Sequence, residues 1–402
     1  MTRTQTPFHF MAKPIGALCN IRCEYCFYLE KEKLYPDAKN RSAFTMTDET
    51  LENYVRRYIQ SQPEGLKEIP FAWQGGEPTL LGVRFYEKAV EYQQKYAPAG
   101  VKILNAFQTN GILVGDEFAS FFKDHGFLVG VSIDGPEELH NRYRVDRVGQ
   151  GTFKDVMAGL ENLKKHGVDF NTLTVVQENN ADHPVEVYNF LTSIGSTYLQ
   201  FIPIVEPSTK AREARIGDDP LSLVNPRSVR PAQWGSFLNG VFHEWRKKDI
   251  GRIFVQHFDM ILGIYAGYPA SLCVHSKECG RAMAIEHNGD VYSCDHFVSP
   301  EYFLGNLNHH SVTEIIDQPA QKEFGTSKYT ALPDKCKTCP YLHLCYGACP
   351  KDRLIQTKSG KLNYLCQGYF DFYRETKPYF RAMTKALTAR RPAADYRAFF
   401  GP

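Results

Sequence analysis

Cys19-Asn20-Ile21-Arg22-Cys23-Glu24-Tyr25-Cys26-Phe27-Tyr28 is the stretch on which the fold turns. Its three cysteines follow a short apolar run at 8–13. Three thiolates leave a tetrahedral structural zinc site one ligand short. On a four-iron cluster the same three leave one iron open to a ligand from outside the chain. A zinc site that borrows a fourth ligand such as His9 is the alternative reading.

Outward from this stretch the chain alternates. Strand-like segments rich in Val, Ile, Phe and Tyr lie at 8–13, 69–74, 101–108, 127–133, 169–176 and 197–205. Helical patterns lie between them at 47–60, 85–96, 116–124, 153–166 and 183–194, the first opening on Thr47-Asp48-Glu49-Thr50. Regular alternation predicts a parallel sheet covered by helices, an α/β fold. Six βα units are too few for a closed eight-fold barrel, so a partial (β/α)6 TIM-like barrel is expected. Turns at Gly75-Gly76-Glu77-Pro78, Asn110-Gly111 and Asp134-Gly135-Pro136 follow strands. Loops at strand C-termini build the active site in such folds. The charged, proline-rich stretch 206–230 reads as a linker or as a loop over the site. A helix at 232–248 closes the first domain, giving expected domains 1–250 and 251–402. Turns and cysteines dominate beyond 272, and the tail from 369 to 400 reads as helical and amphipathic.

The chain has 402 residues and eleven cysteines. After Cys26 the next is Cys273. From there the pattern is Cys273-x5-Cys279-x14-Cys294, then Cys336-x2-Cys339-x5-Cys345-x3-Cys349-x16-Cys366. Eight cysteines make two sets of four, two fully ligated sites that suit iron–sulfur clusters or zinc equally by spacing. The net charge is +2, which gives no electrostatic reason for a nucleic-acid partner or an anionic membrane. No apolar run approaches the ~20 residues of a membrane span, and the N-terminus has no signal-like run. A cytoplasmic location is therefore expected, where disulfides are a poor explanation for the cysteines.

The triad C-x3-C-x2-C followed by an aromatic resembles the signature of the radical S-adenosylmethionine superfamily. The resemblance spans about residues 8–205. It implies that Cys19, Cys23 and Cys26 hold a [4Fe–4S] cluster whose open iron binds S-adenosylmethionine. Gly75, Gly76 and Glu77 resemble the loop that meets the methionine amino group. Ser132 and Arg144 resemble the polar residues that hold the carboxylate and ribose, while Arg147 is expected to do little. Tyr25 and Val205 correspond to positions at the adenosine. The later cysteines resemble the SPASM domain of peptide-modifying radical enzymes, and the chain as a whole is similar to anaerobic sulfatase-maturating enzymes. That likeness implies one auxiliary [4Fe–4S] cluster on Cys273, Cys279, Cys294 and Cys349, and another on Cys336, Cys339, Cys345 and Cys366. Together with the first they make three [4Fe–4S] clusters. Asp295 matches the proposed base, with His296 as a rival and a turn-capping role as the plain alternative. Tyr28 either lines the substrate pocket or is an ordinary packed aromatic.

The resemblance implies oxidation of a Cys or Ser in a sulfatase polypeptide to Cα-formylglycine, with an electron donor such as ferredoxin or flavodoxin. A first rival is another SPASM-type enzyme, a thioether or quinone-cofactor maturase. Such enzymes often carry a leader-binding domain, for which Cys19 at the start of the first cluster is expected to leave no room. The second rival is a zinc-stabilised interaction protein without catalysis.

Overall fold

The computed structural model describes residues 3–36 and 40–400. Its strands, in chain order, are β1 (His9–Lys13), β2 (Glu68–Trp73), β3 (Lys102–Thr109), β4 (Leu128–Ser132), β5 (Phe170–Val176), β6 (Tyr198–Pro203), β7 (Phe254–Val255), β8 (Ala282–Glu286), β9 (Asp290–Tyr292), β10 (Phe303–Asn306), β11 (Arg353–Thr357) and β12 (Gly360–Asn363). Helices follow β1 to β6 in turn: Asp48–Gln60, Val83–Tyr96, Asp116–Asp124, Phe153–Lys165, Pro184–Ser193 and Pro231–Lys248. This is the six-fold βα succession expected from the alternation.

The first of these helices shows why the pattern was readable. Thr47 Oγ1 accepts the Thr50 amide at 3.2 Å, and Asp48 and Glu49 sit in the first turn, where the helix dipole favours them. Leu51, Tyr54, Val55, Tyr58 and Ile59 fall on one face and are buried. They meet the alternate residues of β2, so Ile69, Phe71 and Trp73 are buried while Glu68 and Pro70 are exposed. The Tyr54 and Trp73 ring centroids are 5.8 Å apart, and those of Tyr58 and Phe71 are 4.9 Å apart. Fully burying each large apolar side chain contributes about 1.5–3 kcal/mol.

Chain contacts gather into two compact units. The first comprises the chain up to Ser132, Tyr143–Phe170 and Gly280–Gly325. Its sheet runs β10-β9-β8-β1-β2-β3-β4, parallel from β8 through β4, with β8, β9 and β10 antiparallel to one another in turn. The strands β8 to β10 fall in the stretch expected to be turns. They are only three to five residues long and interrupted by Asn288-Gly289 and Cys294, so their alternation is too brief to read. β8 lies beside β1 in register, His9 against Ala282 and Lys13 against Glu286.

The second unit comprises Ile133–Arg142, Asn171–Cys279 and the chain from Thr326 onward. Here β5, β6 and β7 are parallel and β11 and β12 form an antiparallel pair. The stretch 206–230 contains two short 3-10 turns, Thr209–Glu213 and Pro220–Leu223. The tail is the helix Cys366–Thr388 followed by the 3-10 segment Ala393–Phe399. That helix crosses Pro231–Lys248 at paired glycines. A Cβ on Gly235 would sit 3.0 Å from the Gly368 carbonyl oxygen, so any larger residue would push the helices apart. Among the described residues, no helix is long and apolar enough to cross a membrane.

Candidate functional site

The cysteine loop leaves the C-terminal end of β1 and is laced to the loop after β2. Gly76 N–H donates to the Gly16 carbonyl and Glu77 N–H to the Leu18 carbonyl, both at 2.8 Å. This approach requires a glycine, since a Cβ on Gly76 would lie 1.9 Å from the Leu18 oxygen. Gly75 adopts φ +142°, open to glycine. On its other side the cysteine loop is bound to the segment after β4: Arg22 and Glu24 N–H donate to the Val145 and Tyr143 carbonyls.

Burial pushes the Cys19 thiol up to about 12, and Glu77, Cys23 and Cys26 nearby push the same way. A desolvated thiol such as that of Cys19 is a poor thiolate by itself. Iron removes that penalty, because a coordinated thiol gives up its proton to the metal's charge. The donor set therefore fits a cluster.

Glu77 is fully buried, and burial raises its pKa. In this structure its carboxylate accepts from Thr79 N–H, Thr79 Oγ1, Thr109 Oγ1 and, at 2.7 Å, from Asn110 N–H. It thus ties the loop after β2 to the loop after β3. Asn110, read from sequence only as a turn, reaches the cysteines: its Nδ2 donates to Asn20 Oδ1 at 2.8 Å and lies 3.8 Å from Cys19 Sγ. Its position immediately after β3 was the available signal.

Ser132 ends β4 and accepts from Gln108 Nε2 at 3.0 Å. Arg144 is buried. Its guanidinium lies 5.6 Å from the centre of the Tyr25 ring, and its Nη1 is 3.8 Å from Cys23 Sγ. Tyr25 is buried, edge-on to Tyr143. Arg147, expected to do little for the cofactor, donates from its Nε and Nη2 to the Cys19 carbonyl, at 3.2 and 2.7 Å. Val205 belongs to the second unit, where it is buried and its carbonyl accepts from Lys351 at 3.3 Å. The two arginines should separate in function. Arg144→Ala is expected to weaken S-adenosylmethionine binding by about 1.5–3 kcal/mol, the value of a hydrogen bond to a charged group. Arg147→Ala is expected to leave that affinity within a factor of about three, as for exposed pairs. Equal affinities by anaerobic titration would refute the distinction.

Asp295 lies in the first unit, next to Cys294, whose thiol donates to its Oδ1 at 3.3 Å. Burial raises the Asp295 pKa. The charges of His296 and Lys13, with hydrogen bonds from Cys294 and the backbone, outweigh burial and hold it below the usual carboxylate range. Lys13, at the end of β1, is 1% exposed. Burial lowers its pKa, and Asp295 is the leading charge that opposes this. The ammonium donates to Gln74 Oε1 and lies 4.6 Å from the centre of the Tyr28 ring. Tyr28 is itself buried, with its hydroxyl donating to Glu286 at the end of β8. It packs with Ala17, Ala284, Tyr292 and Val298. Sequence reading passed over Lys13, Gln74 and Glu286. The available signal was a lysine closing the apolar run Phe10-Met11-Ala12.

In the second unit a cavity of about 300 Å³ is lined by Cys336, Cys339, Cys345 and Cys366, with Tyr341 and Phe370 on its apolar wall. Burial pushes Cys336 up to about 11 and Cys345 and Cys349 up to about 12. Two buried cations face these sulfurs. Lys328 feels the charges of Cys279, Cys273 and Cys349, and its ammonium donates to the Cys273 carbonyl at 2.5 Å and the Val274 carbonyl at 2.9 Å. Arg353 feels Cys336, Cys345, Cys279 and Cys349. Buried cations need negative partners. Neutral thiols do not supply them, whereas thiolate-ligated clusters do. Between Cys345 and Cys349 three consecutive residues, Tyr346, Gly347 and Ala348, take left-handed φ of 44°, 73° and 49°. For the two non-glycines that conformation costs roughly 1–2 kcal/mol each.

A cysteine triad at the end of β1, braced by the strand-end loops after β2 and β3, with a second field of cysteines later in the chain, defines a radical S-adenosylmethionine enzyme with auxiliary iron–sulfur sites. The radical SAM superfamily matches residues 14–191, and SPASM, an iron-sulfur cluster-binding domain, matches residues 273–340. A serine-type anaerobic sulfatase-maturating enzyme of Bacteroides thetaiotaomicron is 44% identical, covering 97% of this chain and 94% of that protein. A cysteine-type anaerobic sulfatase-maturating enzyme of Clostridium perfringens is 34% identical, covering 92% of this chain and 97% of that protein. A solved structure of anSMEcpe with bound AdoMet and Kp18Cys peptide superposes with a TM-score of 0.82 at 33% identity, covering 94% of this chain and 99% of that one. The chain belongs to the anaerobic sulfatase-maturating enzymes.

Proposed function

We propose that the chain oxidises a serine, in preference to a cysteine, in a sulfatase polypeptide to Cα-formylglycine. The observation that carries the preference is the order of likeness: serine-type relatives are 38–44% identical and cysteine-type relatives 31–34%. When bound, a four-iron cluster on Cys19, Cys23 and Cys26 with S-adenosylmethionine supplies the oxidant that takes a Cβ hydrogen atom, and auxiliary clusters in the two later cysteine sets take the remaining electron.

The chain's own residues supply position and proton transfer. Asp295 receives the proton of the substrate hydroxyl, with the charges of His296 and Lys13 bearing on its carboxylate. Arg144 pairs with the carboxylate of the cofactor's methionine, with Ser132 on the ribose side, Tyr25 and Val205 at the adenosine, and the main chain at Gly75 and Gly76 at the amino group. Glu77 holds that loop from behind. Residues 1–250 generate the radical and 251–402 carry the auxiliary clusters. The reducing electron comes from a small carrier such as ferredoxin or flavodoxin, and the enzyme works in the cytoplasm.

The test uses anaerobically reduced holoenzyme, S-adenosylmethionine and two sulfatase-motif peptides that differ only in Ser or Cys at the target. Mass spectrometry should show the seryl peptide losing two hydrogens, at a higher kcat/KM than conversion of the cysteinyl peptide. Faster turnover of the cysteinyl peptide would refute the preference. Formation of 5′-deoxyadenosine with both peptides unchanged would refute the substrate class.

A further inference from the structure

Arg353 opens β11 and is 8% exposed. Its guanidinium donates from Nε and Nη2 to three carbonyls: Gly347 at 3.3 Å, Tyr346 at 3.1 Å and Lys328 at 2.8 Å. The first two belong to the left-handed bridge between Cys345 and Cys349. A Cβ on Gly347 would sit 2.8 Å from Arg353 Nη2 and 2.4 Å from Leu332 Cδ2, so the bridge closes directly onto the guanidinium. The cavity wall is fastened from the same hairpin. Arg353 pairs with Asn363 of β12, and Asn363 Nδ2 donates to the Cys349 carbonyl at 3.2 Å.

The proposed partition sends the two ends of this bridge to different clusters, Cys345 to one and Cys349 to the other. The sulfurs on which the Arg353 charge acts divide the same way: Cys336 and Cys345 from one set, Cys279 and Cys349 from the other. Lys328 acts on Cys273, Cys279 and Cys349, which fall in one set alone. An arginine stays protonated under all conditions a protein meets, and a buried charge is weakly screened.

We infer that Arg353 is a shared positioning residue for the two auxiliary clusters, clasping the strained bridge that joins them and raising both reduction potentials with one fixed charge. The inference rests on the proposed assignment of the later cysteines to two four-iron sites. A cation beside a cluster favours its reduced, more negative state, so both clusters become better acceptors for the electron that leaves the substrate. Because one charge serves both, their potentials move together.

The experiment is a spectroscopically monitored redox titration of the full three-cluster protein, with the C19A/C23A/C26A form identifying the auxiliary signals. Arg353→Gln should lower the reduced-to-oxidised ratio of both auxiliary clusters at a fixed potential by about tenfold, ~59 mV for a one-electron couple. Arg353→Lys should keep both close to their original values. Lys328→Met should shift only the cluster holding Cys273, Cys279 and Cys349. Unchanged potentials in Arg353→Gln, or a shift in one cluster alone, would overturn the inference. Should Arg353→Gln shed iron, both auxiliary sets must lose it and Arg353→Lys must restore both; loss from a single set counts against the clasp. Iron and sulfide near four per chain in the unsubstituted protein would instead remove the underlying cluster assignment.

Discussion

Asp295→Asn is expected to lower formylglycine formation by roughly 10²–10⁴-fold, the usual range for losing a general base, while 5′-deoxyadenosine continues to form. Asparagine keeps the size and most of the hydrogen bonding of aspartate but takes no proton. All eleven cysteines remain, so every cluster should assemble. The bonds that brace the triad come from Gly76, Glu77, Asn110, Tyr143, Val145 and Arg147, none of which the substitution touches. The alternative role, a carboxylate that merely caps the turn after Cys294, predicts another outcome: lower iron and an unstable protein. Iron content, 5′-deoxyadenosine and peptide mass are measured on one sample. A near-normal formylglycine rate would remove Asp295 from the mechanism and turn attention to His296, whose charge already bears on Asp295.

Replacing Cys19, Cys23 and Cys26 together with Ala is expected to abolish both products. Iron should fall from about twelve to about eight atoms per chain, since three four-iron clusters become two. The fold should survive, because the loop is held by main-chain hydrogen bonds to Gly76, Glu77, Tyr143 and Val145 rather than by the thiols. Retained 5′-deoxyadenosine formation in this variant would show that the triad is not where S-adenosylmethionine is cleaved. Tightly bound zinc without sulfide in the unsubstituted protein would favour the zinc reading for every cysteine site.

Much of this architecture was legible in the sequence because its elements are long and regular. The helix Asp116–Asp124 matches its expected bounds, and β1 to β6 fall within two residues of theirs. Local periodicity carries that information. β8 to β10 escaped because a three- to five-residue strand between turns has too few positions to show alternation. The site divides in the same way. The cysteines and Asp295 announce themselves by spacing and adjacency. Lys13 and Glu286 do not, since their relation exists only when β8 folds against β1 across more than half the chain. Arg353 carries no such signal, and its role as a donor to three carbonyls depends on a backbone turn that no residue type advertises.

The lacing of Gly76 and Glu77 to the cysteine loop bears on how an enzyme of this build diversifies. Both bonds run from main chain to main chain, so they are indifferent to the side chains around them. Drift in the flanking side chains leaves these two bonds in place. The exceptions are positions 75 and 76: Gly75 holds a positive φ, and at 76 even a methyl group meets a carbonyl oxygen. A lineage can therefore exchange its clientele by altering the walls further along the strands while its ignition point stays the same. Engineering aimed at new target proteins has the same freedom, and the same fixed glycines.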